Sequence, residues 1–249
     1  MNLILLESGE VNEAGVAVLD DHRAAHIRDV LRVKKEDTIR IGLVNGPLGT
    51  ARIQDESSRQ VVLKCTLGKS RPPKPKIDLL LALPRPKVLK RLWAPLASMG
   101  VGRIMLTNAW KVERNYFDTH VLQPDFFRPL LLEGLQQARD TWLPEVTIHR
   151  QLKILVEDQL DQLVSHRSRI MADPAAKIPI RSLGASFRKG RLLLAVGPEG
   201  GWTKFERDLL KSHGFVPVGM GPRILRTDIA CIALLALAGD LLNRHSRHS

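Results

Sequence analysis

The sequence predicts an α/β protein in which a mostly parallel, helix-covered sheet follows a small β domain. Three observations carry this. Residues 77–83 and Leu192–Val196 are near-continuous apolar runs of strand length, the pattern of strands buried on both faces. Each passes through a Pro- or Gly-rich turn into a helical stretch, as strands of such sheets do. Before Gly68, by contrast, the strand-like runs are short and bounded by Gly, Pro, Asn or charges.

In that first part, residues 3–6, 37–44, 49–53 and 60–65 read as strands, and residues 21–31, carrying His22, His26 and Arg28, as a helix. The connector Ser70-Arg71-Pro72-Pro73-Lys74-Pro75-Lys76 can extend neither a ladder nor a helix, because proline has no N–H. The boundary falls there, giving domains 1–72 and 73–249. Next, the strand at 77–83 leads through Pro84-Arg85-Pro86-Lys87 into a helix over 88–99, and a strand at 103–107 completes a β-α-β unit. Residues 125–141 are helical, and a strand begins at Pro144-Glu145-Val146. Residues 152–180 hold a helix, a strand and a loop around Asp173-Pro174 without a chemical motif. His149 and His166 stand alone and suit solvated or capping roles.

The stretch 192–242 is the most informative. Leu192–Val196 is followed by Gly197-Pro198-Glu199-Gly200-Gly201-Trp202, and Thr203 with Glu206 three residues later forms a capping box that starts a helix. A strand at 215–219 then precedes Met220-Gly221-Pro222-Arg223-Ile224-Leu225-Arg226, and Thr227 caps a long apolar helix to Leu242. Two glycine-rich loops thus leave consecutive strands on the edge where open α/β sheets bind ligands. Glycine at a strand end is more often a turn device than a cradle. Two such loops, one with two arginines, favour a shared small-molecule site. Neither fits Gly-x-Gly-x-x-Gly, and no Gly-Lys-Ser/Thr follows, so spacing leaves the ligand open.

The chain carries 38 Lys+Arg against 26 Asp+Glu, a net charge of +12, as expected of a polyanion binder. Residues 1–72 hold 11 basic against 10 acidic residues, so the second domain carries nearly all the field. Residues 74–114 alone hold nine basic and two acidic, which makes the loop after the first parallel strand the best polyanion-facing candidate outside the two glycine loops. With four Trp, one Tyr and six Phe there is little sign of a base-stacking sheet, so the shape and phosphates of a polyanion are the expected features read. Cys65 and Cys231 have no neighbouring cysteine, which argues against a zinc site or a disulfide framework. With no leader and no apolar run of membrane-span length, a soluble cytoplasmic protein is expected.

The pairing of Val196-Gly197-Pro198-Glu199-Gly200-Gly201-Trp202 with Gly221-Pro222-Arg223-Ile224-Leu225-Arg226-Thr227-Asp228-Ile229-Ala230 closely resembles the ribosomal RNA small subunit methyltransferase E family, uridine N3 methyltransferases of the SPOUT superfamily. His26-Ile27-Arg28-Asp29-Val30-Leu31-Arg32 matches that family's N-terminal motif, and order and length extend the resemblance over nearly the whole chain. It implies a PUA-like N-terminal β-barrel and a SPOUT domain with a deep trefoil knot that holds S-adenosyl-L-methionine. It also implies a homodimer, no metal, and small-subunit (16S) rRNA or the assembled small ribosomal subunit as partner. Cofactor contacts are implied for Leu83, Val196, Gly197, Pro198, Glu199, Gly200 and Gly201, and for Met220, Gly221, Ile224, Leu225 and Thr227. RNA contacts are implied for Arg28, Arg32, Arg85 and Lys87. The chain departs from the family in Gly134 for alanine, Asp140 for arginine with Arg139 one place early, Ser98-Met99 for Glu-Leu, and Asp228 where glutamate is usual. These departures keep open another rRNA or tRNA nucleotide as target. A non-catalytic RNA-binding assembly factor is the reading from another class, but it has no need of both glycine loops with Arg226.

For methylation at uridine N3, a proton must leave and a cation would steady the uracil anion. Arg226 or Arg223 could supply the cation. Asp228 is the nearest base, although an acid in a helix's first turn is favoured by the dipole and makes a weak base. Glu199 suits ordering its loop. The tail 244–249 is expected to fray and to add non-specific RNA affinity.

Overall fold

The computed structural model describes residues 3–57, 59–164, 168–184, 187 and 190–243. The chain divides into two compact units, Met1–Lys74 with Leu132–Leu143, and Pro75–Leu131 with Pro144–Ser249. It therefore passes between them three times, once at the proline-rich connector. His166 and the tail 244–249 lie outside the described residues.

In the first unit, β1 (Ile4–Leu6), β2 (Val16–Leu19), β3 (Thr38–Leu43), β4 (Leu48–Glu56) and β5 (Val61–Leu67) form a curled sheet ordered β1-β3-β4-β5-β2. Its ladders are antiparallel except between β1 and β3. Period-2 alternation points Ile39, Ile41, Ala51, Ile53 and Leu63 into one core. Strand β2 alternates too, burying Ala17 and Leu19 and exposing Val18, but its residues are all apolar and show no alternation in sequence. It is a strand because β5 offers it a ladder from Val16–Lys64 to Leu19–Val61. Helix α1 (His22–Ala25) starts where the Asp21 carboxylate accepts the Arg23 amide at 2.8 Å, and it runs on through a π turn, His26–Val30, that buries Ile27. Arg23 also pairs with Glu10.

Residues 132–143 complete this unit. Thr141 Oγ1 donates to the Gly46 carbonyl at 2.7 Å, Trp142 Nε1 to the Pro72 carbonyl at 2.7 Å, and the Leu143 amide to Asn45 Oδ1 at 3.0 Å. A Cβ at Gly42 would meet Thr141 Cγ2 at 2.7 Å, so this contact requires glycine.

The second unit holds β6 (Ile77–Ala82), α2 (Pro86–Ser98), β7 (Val101–Thr107), α3 (Pro124–Ala138), which continues into the first unit, β8 (Glu145–His149), α4 (Leu152–Ile154), α5 (Leu160–Leu163), β9 (Ser168–Ala172), β10 (Leu192–Val196), α6 (Lys204–Ser212), β11 (Phe215–Val218) and α7 (Thr227–Asn243). Its six strands are all parallel, in the order β11-β9-β10-β6-β7-β8. Central β6 and β10 are buried along their whole length, which is why both read as unbroken apolar runs. The one charge in β6, Asp78, is 1 % exposed and meets Arg191 at 2.7 Å. On α2, Leu89, Leu92, Trp93 and Leu96 face the core, and Trp93 Nε1 donates to the Val121 carbonyl at 3.2 Å.

The helix read over 88–99 begins at Pro86 and ends at Ser98, and two further helix starts or ends differ from the sequence reading for a local reason. Helix α3 stops at Ala138 and not at Thr141, because Arg139 turns to φ +58° and breaks the helical path. Thr227 is the first residue of α7 and not its cap, since the Arg226 carbonyl already accepts the Ala230 amide at 2.8 Å. His149 is held internally, between Gln159 Oε1 at 3.1 Å and Thr147 Oγ1 at 3.0 Å.

Candidate functional site

The two glycine-rich loops follow β10 and β11, which are consecutive in the chain but separated in the sheet by β9. The loop after β9, around Asp173-Pro174, therefore fills the space between them. Together the three loops wall a cavity of about 310 Å³, lined by Asp173, Pro174 and Ala175, by Val196 to Trp202, and by Ile224, Leu225, Thr227 and Ala230. A smaller hollow of about 60 Å³ adjoins the same loops and takes in Met220, Gly221 and Arg223. Asp173 to Ala175 carried no motif in the sequence. Their place is set by the Asp173 amide donating to the Val218 carbonyl at 3.0 Å and the Gly219 amide to Ile178 at 2.9 Å.

The first glycine loop is fastened from both ends. Thr203 and Glu206 make the capping box read from the sequence, with Glu206 Oε2 accepting the Thr203 amide at 2.7 Å. Glu199 Oε1 accepts the Arg85 amide at 3.2 Å, so Glu199 ties its loop to the one after β6. Lys111, on the loop after β7, donates to the Gly200 carbonyl at 2.6 Å and also lines the cavity. Its only signal in sequence was membership of the basic stretch 74–114.

Arg226 and Asp228 stand at the start of α7. Asp228 Oδ2 accepts from Arg226 at 3.2 Å and from Arg91 of α2 at 3.1 Å, and Oδ1 accepts the Ile229 amide at 3.1 Å. Arg91 was not singled out in sequence, being one of several cations on its helix. Arg226 is exposed and lines neither cavity. Leu83 is buried at 1 % exposure and lines neither. Arg85 and Lys87 are exposed in this unit. In the first unit, Arg28 reaches the Ser57 carbonyl at 3.3 Å, and Arg32 sits exposed at φ +51°. Among the described residues no group of three or more His, Cys, Asp or Glu could hold a metal, and no helix is long and apolar enough to cross a membrane.

The residues present fit S-adenosylmethionine. A Cβ at Gly197 would come within 3.1 Å of the Trp202 indole, so any side chain there would press on that ring. Trp202 Nε1 is buried without a partner, a donor left over at the cavity wall. Gly201 at φ +69° and Gly221 at φ +121° turn their loops in ways L side chains resist.

A family model described as an RNA methyltransferase domain matches residues 71–239, and one described as an RNA methyltransferase PUA domain matches residues 19–64. A protein named Ribosomal RNA small subunit methyltransferase E from Treponema pallidum is 31 % identical over 99 % of this chain and 92 % of its own. Its namesake numbered 1 from Borreliella burgdorferi is 27 % identical over 98 % and 100 %. A solved structure of the Neisseria gonorrhoeae Ribosomal RNA small subunit methyltransferase E, bound to S-adenosyl methionine, shares the fold with a TM-score of 0.78 at 19 % identity, covering 97 % of this chain and 98 % of that one. With the glycine-walled cavity at the sheet edge and full-length similarity to named members, the chain belongs to the ribosomal RNA small subunit methyltransferase E family.

Proposed function

We propose that this chain transfers a methyl group from S-adenosylmethionine to N3 of a uridine in 16S rRNA. The observation that carries the reading is the three-loop cavity with the Arg226–Asp228–Arg91 cluster at the start of the adjoining helix. The bound cofactor supplies an electrophilic methyl. This chain's residues hold, orient and shield it. Backbone groups of Gly197, Gly200, Gly201, Met220, Gly221 and Leu225 bind without bulky side chains in the way, and Pro198, Glu199 and Ile224 support that wall. Excluding water and aligning the partners is most of the enzyme's task in such a displacement.

The target must lose its N3 proton, and the developing uracil anion is met by Arg226, with Arg223 as the second cation of the loop. Asp228 is spent on two guanidinium groups and an amide. It acts as the group that aims Arg226, and the N3 proton passes to solvent as the base enters, before water is excluded from the closed site. Arg28, Arg32, Arg85 and Lys87 hold rRNA phosphates.

The protein works as a homodimer in the cytoplasm on the small ribosomal subunit. Ile229, Ile232 and Leu237 support the dimer, since they leave one flank of α7 exposed and apolar. We also take the chain from β9 to α7 to be the knotted segment of a SPOUT domain. The test is transfer of labelled methyl to small subunits purified from a deletion strain, followed by nucleoside analysis. Labelled N3-methyluridine is expected. Cofactor binding without transfer would move the target to another RNA, and absence of cofactor binding would reject the enzyme.

A further inference from the structure

The loop that sends Lys111 to the cofactor cavity also lines, through Asn108, Ala109, Trp110 and Val112, a separate groove of about 800 Å³. At its mouth Trp110 is 85 % exposed and Phe205 62 %. Two large aromatics held in water beside one groove mark a binding surface. The indole is presented on fixed backbone, because the Trp110 amide donates at 2.7 Å to Glu206 Oε1. Glu206 is 5 % exposed and gives its other oxygen to Thr203, so the one acid lining the groove is fully committed. The remaining charges in the lining are Arg114, Arg150 and Lys153. Arg114 makes no ion pair among the described residues, while Arg150 and Lys153 pair only with exposed acids, Asp118 at 3.5 Å and Glu157 at 3.8 Å, and the Arg150 guanidinium also lies 5.3 Å from the centre of the Phe117 ring. Exposed pairs of that kind are worth little and are readily exchanged.

An aromatic face beside three available cations is the chemistry that receives an unstacked nucleobase and its phosphates. We infer that this groove seats one unpaired base of the RNA substrate on Trp110, with flanking phosphates on Arg114, Arg150 and Lys153. The inference rests on RNA being the substrate. It gives the protein a base-stacking contact on the same loop that braces the cofactor site, so substrate grip and Gly200 placement share one element.

The test is fluorescence anisotropy with the full-length chain and a labelled single-stranded RNA about a dozen nucleotides long. Trp110→Ala should weaken binding roughly 5- to 100-fold, and Trp110→Phe, which keeps a stacking face, by only about threefold. Arg150→Gln and Lys153→Gln should each lower the slope of log affinity against log salt by about 0.7. Cofactor affinity by calorimetry should be the same in all four. Unchanged RNA affinity in Trp110→Ala overturns the inference, as does failure of the wild type to bind this RNA. A change in sedimentation mass with RNA affinity intact overturns it in favour of a protein contact. Normal methyl transfer by wild type with no Trp110 effect on RNA removes the groove and leaves the reaction. A Trp110-dependent affinity without any transfer supports the groove and rejects the reaction.

Discussion

Gly221→Ala isolates the part that backbone shape plays in holding the cofactor. Gly221 has φ +121°, and a Cβ built there meets nothing within 4 Å. The substitution therefore creates no clash, and its whole cost is conformational, on the order of 1–3 kcal/mol for a side chain in so sparsely populated a region. Residues 221–226 are all exposed, so the free loop can relax and escape that cost. It returns on binding, when the loop must resume its shape. At about 1.4 kcal/mol per tenfold, the cofactor Kd should rise roughly 5- to 150-fold, while the melting temperature moves by only a few degrees. Gly214→Ala is the control. Gly214 also has positive φ, +82°, and open space around it, but it lies between α6 and β11 and lines neither cavity of the site. It should lower the melting temperature and leave the Kd alone. Isothermal calorimetry with S-adenosylmethionine and thermal melts of both variants decide the matter. A wild-type Kd in Gly221→Ala would refute the idea that this loop must hold its shape for the cofactor.

Asp228→Asn should cut kcat about tenfold, well short of the 10²–10⁴ expected for loss of a general base, and its effect should not add to that of Arg226→Gln, because both break the same contact. Additive losses in that double-mutant cycle would separate the two residues. Glu206→Ala should cost roughly 2–4 kcal/mol in denaturant unfolding, since it removes the acid half of a capping box and strands the Trp110 amide; a loss below about 0.5 kcal/mol on the same scale would show that water replaces both contacts. Burial pushes the Cys231 thiol up to about 12, so it should resist alkylation at pH 8 until the protein unfolds, which mass spectrometry of iodoacetamide-treated protein reads directly. Hydrogen bonding from Arg23 holds the Glu10 carboxyl below its ordinary 4.5. A depressed acid adds stability that is complete above its unfolded pKa and is lost as pH falls through the folded one, so Glu10→Gln should lose stability at pH 7 and converge on wild type in urea titrations only as the pH falls below the ordinary carboxyl value.

Much of the second unit was legible because its signals are local. The unbroken apolar runs of β6 and β10 follow from burial on both faces, and the start of α6 follows from a cap and an acid three residues apart. The glycines at 197 and 221 were legible as a pair because both loops need backbone that other residues resist. What escaped was whatever depends on a distant partner. Strand β2 is four residues that only β5 makes into a ladder. Residues 132–143 belong with the first unit because Thr141, Trp142 and Leu143 find Gly46, Pro72 and Asn45, and no periodicity in the segment announces that. Lys111 and Arg91 looked like ordinary surface cations until Gly200 and Asp228 were placed beside them.

The loop after β9 shows why one wall of a site can be silent in sequence while its neighbour is conspicuous. A Cβ on Gly219 would come within 2.6 Å of the Ala176 carbonyl, so the close approach of the two loops is written as a glycine on the β11 side. On the β9 side the same contact uses carbonyls of Ala176 and Ile178 and the amide of Asp173, groups that every residue except proline can supply in full. The constraint is shared, but only one partner must pay it in residue identity. A cofactor held mainly by backbone inherits this asymmetry: its glycines declare the site, and the β9 loop that lies between them is found only once the order of strands in the sheet is known.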